Sequence, residues 1–115
     1  MSCPKFIATS LAVRTASHLL HLTTTSYATH KALNEFYEDL TDLTDRYAEA
    51  FMGENPTPRF PAVLPPTGSP SEVLEEYLDM VREELEEEEG HKTKETILTE
   101  IEELVLSTLY KLKLK

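Results

Sequence analysis

Two histidines and two carboxylates in the first half of the sequence have the right chemistry to bind a metal ion. His21 and His30 lie on either side of a threonine run, and Asp45 and Glu49 follow farther along the chain. If residues 27–52 form one helix, His30, Asp45 and Glu49 project within about 100° of one another around its axis. Imidazole nitrogens and carboxylate oxygens are ligands for iron, manganese and zinc. The candidate metal ligands are therefore His21, His30, Asp45 and Glu49.

The helices that position these residues are predicted from hydrophobic periodicity and from capping signals. Ser69, Pro70 and Glu72 form a complete helix-start signal, with a capping serine, a proline in the first turn and a glutamate three residues after the cap. Gly53 and Gly90 are suited to helix ends. Together the signals predict helices at about 4–22, 27–52, 70–89 and 92–112.

A long connection is predicted between the second and third helices. The segment 54–70 holds six of the seven prolines, so it cannot form a regular helix. Short turns join the other helices. This pattern predicts one all-α domain over residues 1–115, a four-helix bundle of ferritin-like topology whose second and third helices run parallel across the Pro-rich connection. An up-and-down bundle with a loose Pro-rich loop is the alternative.

The candidate ligands on the second helix face away from its apolar side. The apolar positions, which include Leu33, Phe36, Leu40 and Tyr47, centre about 130° from the middle of the ligand set. An ordinary solvent-exposed polar face has the same pattern. A metal site therefore requires a second subunit to cover this face, which predicts a homo-oligomer of at least two chains.

Charge and cysteine content restrict the function further. The net charge is −10, and the first 33 residues contain no Asp or Glu. Such an acidic chain is not expected to bind nucleic acid or a membrane surface. Arg14, His18 and His21 interrupt the apolar N-terminal segment, which argues against a membrane span. The single cysteine, Cys3, precludes an intrachain disulfide and favours the cytoplasm.

The end of the first predicted helix and the whole of the second resemble a known family. The run HLTTTSYATHKALNEFYEDLTDLTDRYAEAFMG, residues 21–53, resembles the Dps proteins of the ferritin-like superfamily, in which one His ends the first helix, a second opens the next, and an Asp-x-x-x-Glu pair follows. The segment TILTEIEELVLSTLYKLK, residues 96–113, resembles their last bundle helix. The chain also resembles short ferritin-like proteins of bacteriophages.

The resemblance implies iron as the metal and a ferroxidase-like activity. The site would be shared between two subunits, with His21 and His30 from one chain and Asp45 and Glu49 from the other. A phage-encoded protein would act in the host cytoplasm. Asn34 stands where the family has an aspartate, and the basic tail that Dps proteins use for DNA is missing.

A non-enzymatic role is the alternative. The acidic surface is also suited to a protein partner, as in a helical interaction or structural protein that has lost metal chemistry. The acidic run VREELEEEEGHK, residues 81–92, is expected to be a solvated helix end, with attraction of cations or of a basic partner as the alternatives. The glycine inside Glu88-x-x-His91 predicts that these two side chains do not share a helical face, and Cys3 has no evident catalytic partner.

Overall fold

The computed structural model describes residues 1–114, which form four α-helices. These helices are α1 (Cys3–Thr23), α2 (Tyr27–Met52), α3 (Pro70–Glu87) and α4 (Lys92–Leu112). No strand occurs in the described residues, so the prediction of an all-α four-helix bundle is confirmed. α3 ends at Glu87 rather than at 89, and the other bounds lie within one residue of the predicted ones. Across residues 1–114, no helix combines the length and the apolar character that a membrane crossing requires.

Three of the helices begin at a serine that caps the backbone. Ser2, Ser26 and Ser69 each accept a hydrogen bond on Oγ from the backbone N–H three residues later, at 3.2 to 3.3 Å. At the start of α3, Glu72 completes the box by accepting from the backbone N–H of Ser69 at 3.1 Å. These bonds satisfy donors that the first turn of a helix leaves unpaired, so local chemistry fixes where these three helices start.

Each helix packs against two others in an antiparallel arrangement. α1 contacts α2 and α3, and α4 contacts the same two helices. Ion pairs from Arg46 to Glu100 and from Lys111 to Glu35 show that α2 and α4 run in opposite directions. Consequently α2 and α3 run parallel on one diagonal of the bundle, and α1 and α4 occupy the other.

The connection between α2 and α3 lies against α1. Residues 53–69 contain no regular helix. Pro56 and Pro58 lie beside Pro4, at the start of α1, and Phe60 and Val63 share a groove with residues farther along that helix. The segment therefore follows α1 for part of its length before α3 begins.

The core fills the space between the four helices and is rich in aromatic side chains. Phe6 packs edge-on against Tyr47 and stacks on Tyr77, with ring centroids 5.4 and 6.2 Å apart. The Tyr77 hydroxyl is hydrogen bonded to Ser10 at 2.7 Å inside this core, so the one polar atom of that ring is satisfied. These contacts hold α1 against both α2 and α3.

Replacing Ser69 with alanine tests the capping box. The Ser69→Ala variant loses the hydrogen bond to the backbone of Glu72, and we expect its free energy of unfolding to fall by about 1 kcal/mol. Urea denaturation followed by circular dichroism measures this loss. Ser71→Ala, in the same helical turn, is the matched control and should stay within about 0.5 kcal/mol of the unmodified protein. Equal losses in both variants would contradict a specific capping role for Ser69.

Candidate metal-binding sites

The turn between α1 and α2 brings His21 and His30 together. Nδ1 of His21 lies 2.7 Å from the carbonyl oxygen of His30, and Nδ1 of His30 lies 2.8 Å from the carbonyl oxygen of His21. The two imidazole rings stack, with centroids 3.7 Å apart and planes 21° from parallel. The two histidines that the sequence analysis assigns to one chain therefore lie side by side, and their role as metal ligands stays a prediction.

These hydrogen bonds fix the tautomer of both rings. A carbonyl oxygen only accepts hydrogen bonds, so each Nδ1 must carry the proton. In a neutral imidazole this leaves a lone pair on Nε2, the atom that binds metals. Among the described residues, neither Nε2 atom makes a hydrogen bond, and neither is a buried atom lacking a partner. A metal-binding histidine is typically held in this way, by a second-layer acceptor on its other nitrogen.

A polar cleft surrounds the histidine pair. Its lining consists of His21, Tyr27, His30, Lys31, Asn34 and Glu35, around a volume of about 320 Å³. Oδ1 of Asn34 accepts a hydrogen bond from Tyr37 at 2.7 Å. The ring of Tyr37 in turn stacks on His18 at 4.3 Å, which places His18 in the wall behind the pair. The cleft is therefore lined with donors and acceptors on a rigid aromatic support.

Asp45 and Glu49 lie far from the histidines within one chain. They follow His30 by 15 and 19 positions on the same helix. At 1.5 Å per residue these intervals correspond to about 22 Å and about 28 Å along the helix axis. Both carboxylates are exposed. A single chain thus presents the two halves of the predicted site separately, and the shared site remains a prediction about two chains.

A second cluster lies at the opposite end of α1. The thiol of Cys3 donates to Oε1 of Glu88 at 3.1 Å and lies 3.6 Å from the hydroxyl of Tyr47. That hydroxyl donates to Oε2 of Glu84 at 2.7 Å. Four side chains from α1, α2, α3 and the residue just after α3 therefore meet inside the bundle.

Burial governs the protonation of this cluster. Glu84 is 1% exposed, and its Oε1 is buried without a hydrogen-bond partner in residues 1–114. Burial raises the pKa of Glu84 above its usual range, although the hydrogen bond from Tyr47 works against the shift. Burial also raises the pKa of the Cys3 thiol to about 12, so the thiol is protonated at neutral pH.

Glu88 lies between the cluster and two basic side chains. Its Oε2 accepts hydrogen bonds from Lys94 Nζ and from His91 Nδ1, both at 2.9 Å. Partial burial favours the neutral acid, but the hydrogen bonds from Lys94 and Cys3 outweigh it and hold the pKa of Glu88 below its usual range. Glu88 and His91 lie between α3 and α4 and so share no helical face, but their side chains nevertheless meet across this turn.

The expectation of a solvated acidic helix end is wrong for two of its residues. Glu84 and Glu88 are 1% and 8% exposed, whereas Glu83, Glu86 and Glu87 are exposed as expected. The sequence does hold a signal for this difference. Glu84 follows Tyr77 by seven positions and Val81 by three, so it continues the apolar side of α3.

Comparison with known proteins yields one family. The sequence profile of a family of unknown function, DUF5856, matches residues 21–112. This range spans α2, α3 and α4 and includes both histidines of the pair. No curated protein and no solved structure matches the chain.

Replacing Glu84 with glutamine tests the buried carboxyl through the pH dependence of stability. Below about pH 4 the group is protonated in both the folded and the unfolded chain. As the pH rises, the unfolded chain loses this proton first, so the unmodified protein loses stability until the raised folded-state pKa is passed. We expect Glu84→Gln to match the unmodified protein near pH 4 and to become progressively more stable than it toward pH 7.

Chemical denaturation in EDTA at several pH values measures this difference. Glu86→Gln is the matched control, because Glu86 is an exposed acid on the same helix. Its stability curve should run parallel to that of the unmodified protein. If the stability curve of Glu84→Gln were also parallel to that of the unmodified protein, burial would not raise the pKa of Glu84.

Proposed function

We propose that this chain, which belongs to the DUF5856 family of unknown function, is a ferritin-like, Dps-like protein that binds iron between subunits. His21 and His30 of one subunit supply nitrogen ligands, and Asp45 and Glu49 of a second subunit supply carboxylates. The observation that carries the proposal is the reciprocal pair of Nδ1 hydrogen bonds, which leaves both Nε2 atoms as free acceptors at one cleft. Iron, manganese and zinc all accept such a ligand set, and the resemblance to Dps proteins favours iron.

The helix arrangement supports a ferritin-like bundle. Ferritin-like folds have one long connection, and it joins two helices that run in the same direction. Here α1 with α2, and α3 with α4, form antiparallel hairpins, and α2 and α3 run parallel on a diagonal. The connection of residues 53–69 lies along α1, which is compatible with a return over the bundle.

The exposed side of α1 supports association with a second copy. Leu11, Leu19 and Leu22 are 38%, 54% and 63% exposed, and Tyr27, just beyond the turn, is 74% exposed. α1 contains no acidic residue. A row of exposed apolar side chains with so little charge is typical of an interface, and it ends beside the histidine pair.

A two-fold axis relates the proposed halves of the site in a simple way. If the α2 helices of two subunits pair antiparallel, His30 of one faces Asp45 and Glu49 of the other when the helices cross near Glu38. Each dimer then has two equivalent sites, separated by about 25 Å at 1.5 Å per residue. Such a crossing requires that Glu38 be accessible in the isolated subunit, and Glu38 is exposed.

The chemistry would be oxidation of ferrous iron as the substrate. Two neutral imidazoles and two carboxylates compensate the charge of Fe²⁺ without adding a net charge. Each Fe²⁺ gives one electron to oxygen or peroxide and leaves as Fe³⁺. The chain's own contribution is to fix the imidazole tautomers through the carbonyls of His21 and His30 and to hold the rings in place.

Titration with ferrous iron tests the shared site. Anaerobic addition of Fe²⁺ followed by air should give rapid oxidation that saturates at a fixed ratio of iron to protein. His30→Ala and Glu49→Ala each remove one ligand, and we expect the initial rate of ferric absorbance to fall at least about tenfold. Asp39→Ala, an exposed acid on another side of α2, is the matched control and should leave the rate unchanged.

Light scattering on the same samples separates loss of a ligand from loss of assembly. The variants should keep the oligomeric state of the unmodified protein. An identical background rate in all four proteins would overturn the iron site and leave the non-enzymatic interaction protein as the better interpretation.

Cysteine cross-linking tests the geometry of the subunit contact. We expect Glu38→Cys to form a covalent dimer under mild oxidation or with a short bis-maleimide, because the crossing places the two copies of residue 38 close together. Asp39→Cys places its thiol on another side of the helix and is the matched control. A non-reducing gel measures the yield. Equal yields from the two variants, or a purely monomeric protein in light scattering, would contradict the antiparallel pairing.

A further inference from the structure

We propose that Cys3, Glu84 and Glu88 form a second metal site, contained within one chain, that binds a zinc-like divalent ion. One ligand atom from each side chain lies within 4.8 Å of those of the other two. Cys3 belongs to the first turn of α1, Glu84 to the last turns of α3, and Glu88 to the residue that follows α3. A bound ion would therefore fasten the start of α1 to the end of α3.

An unpartnered buried atom points independently to a ligand. Oε1 of Glu84 has no hydrogen-bond partner in residues 1–114, although the residue is only 1% exposed. Oε2 of the same carboxyl is occupied by the Tyr47 hydroxyl at 2.7 Å. Buried carboxyl oxygens are normally satisfied, so the oxygen left without a partner inside this cluster is open to a ligand.

The separation of the ligand atoms suits a small tetrahedral ion. Zinc lies about 2.3 Å from a thiolate sulfur and about 2.0 Å from a carboxylate oxygen, which sets the sulfur and oxygen about 3.5 Å apart in a tetrahedron. Sγ of Cys3 and Oε1 of Glu88 are 3.1 Å apart. An ion bound here would replace the thiol proton between these two atoms and draw in a carboxyl oxygen of Glu84, whose ligand atom lies within 4.8 Å of both.

The charges in the cluster also fit a divalent ion. With Cys3 as thiolate, the three ligands carry three negative charges, and Lys94, at 2.9 Å from Oε2 of Glu88, compensates one. The amino group of Met1 is paired with Glu87 instead, at 2.6 Å. A divalent ion cancels the remaining two charges. Binding releases the thiol proton of Cys3 to solvent, together with the carboxyl proton of Glu84 where that group is neutral, and no electron is transferred.

The donor atoms favour zinc over magnesium or calcium. A thiolate is a soft ligand that selects zinc and its neighbours, whereas magnesium and calcium require oxygen ligands throughout. Tyr47 is a positioning residue, because its hydroxyl orients Glu84 by donating to Oε2. The site does not depend on the proposed iron site, which lies at the other end of α1 and needs a second subunit.

Cobalt titration of the unmodified protein tests the site. Cys3 is the only cysteine, so a thiolate-to-cobalt charge-transfer band reports ion binding at this residue alone. We expect this band and the visible bands of tetrahedral Co²⁺ to saturate at one ion per chain and to disappear when Zn²⁺ is added. Glu49→Ala, which removes an exposed proposed iron ligand and leaves the His21–His30 pair intact, should retain the band, and this separates the two sites.

Matched variants identify the carboxylate ligand. Glu84→Gln should weaken cobalt binding at least about tenfold, while Glu86→Gln, an exposed acid on the same helix, should bind as the unmodified protein does. Circular dichroism checks that each variant is folded. If Glu84→Gln does not fold, the melting temperature of the unmodified protein is compared with Zn²⁺ and with EDTA, and a rise with Zn²⁺ is expected.

Three results would overturn the proposal. The first is a cobalt titration of the unmodified protein without a saturable charge-transfer band. The second is equal cobalt affinity in Glu84→Gln and Glu86→Gln, which would indicate adventitious binding to the thiol alone. The third is a melting temperature that Zn²⁺ does not change.

Discussion

The reciprocal hydrogen bonds between His21 and His30 set the register of α1 against α2, and both polar clusters depend on that register. Each imidazole donates to the backbone carbonyl of the other residue, so two hydrogen bonds join the end of α1 to the start of α2. With the turn fastened at this end, the antiparallel course of α1 places Cys3 beside Tyr47 at the far end. A shift of one residue would rotate a side chain by about 100° and separate both pairs.

The helix register places the carboxyl group of Glu84 at a core position. A carboxyl at a core position is less favourable than an apolar side chain of similar size unless its oxygens are satisfied. Tyr47 satisfies one oxygen, and the thiol of Cys3 approaches from α1, so side chains of three helices meet at this carboxyl group. The neighbouring core includes Phe6, Val81 and Tyr77, and the Tyr77 hydroxyl is satisfied by Ser10. An acid retained in such a place is better explained by a ligand than by the stability of the bundle.

The parts of this structure that the sequence predicts are those with local causes. Ser69 caps α3 through atoms only three residues away, and His21 and His30 are brought together by a single short turn. The cluster of Cys3 and Glu84 was missed because its members are distant in sequence and because Glu84 lies in a run of identical acids, where only the helical phase distinguishes it. Asp45 and Glu49 differ again, because they are exposed and no contact within the described chain determines their surroundings.

The acidic residues are distributed unevenly among the four helices. All 21 acidic residues lie beyond the first 33 positions, so α2, α3 and α4 carry the negative surface while α1 carries none of it. α1 packs against α2 and α3 on its inner side, and it exposes Leu11, Leu19 and Leu22 on its outer side. In the proposed oligomer that outer side and the paired face of α2 are buried at the subunit contact, which leaves α3 and α4 to face the solvent. Such an acidic surface attracts cations by its net field. α1 and α2 would then serve assembly, and α3 and α4 would raise the local concentration of the metal at the proposed site.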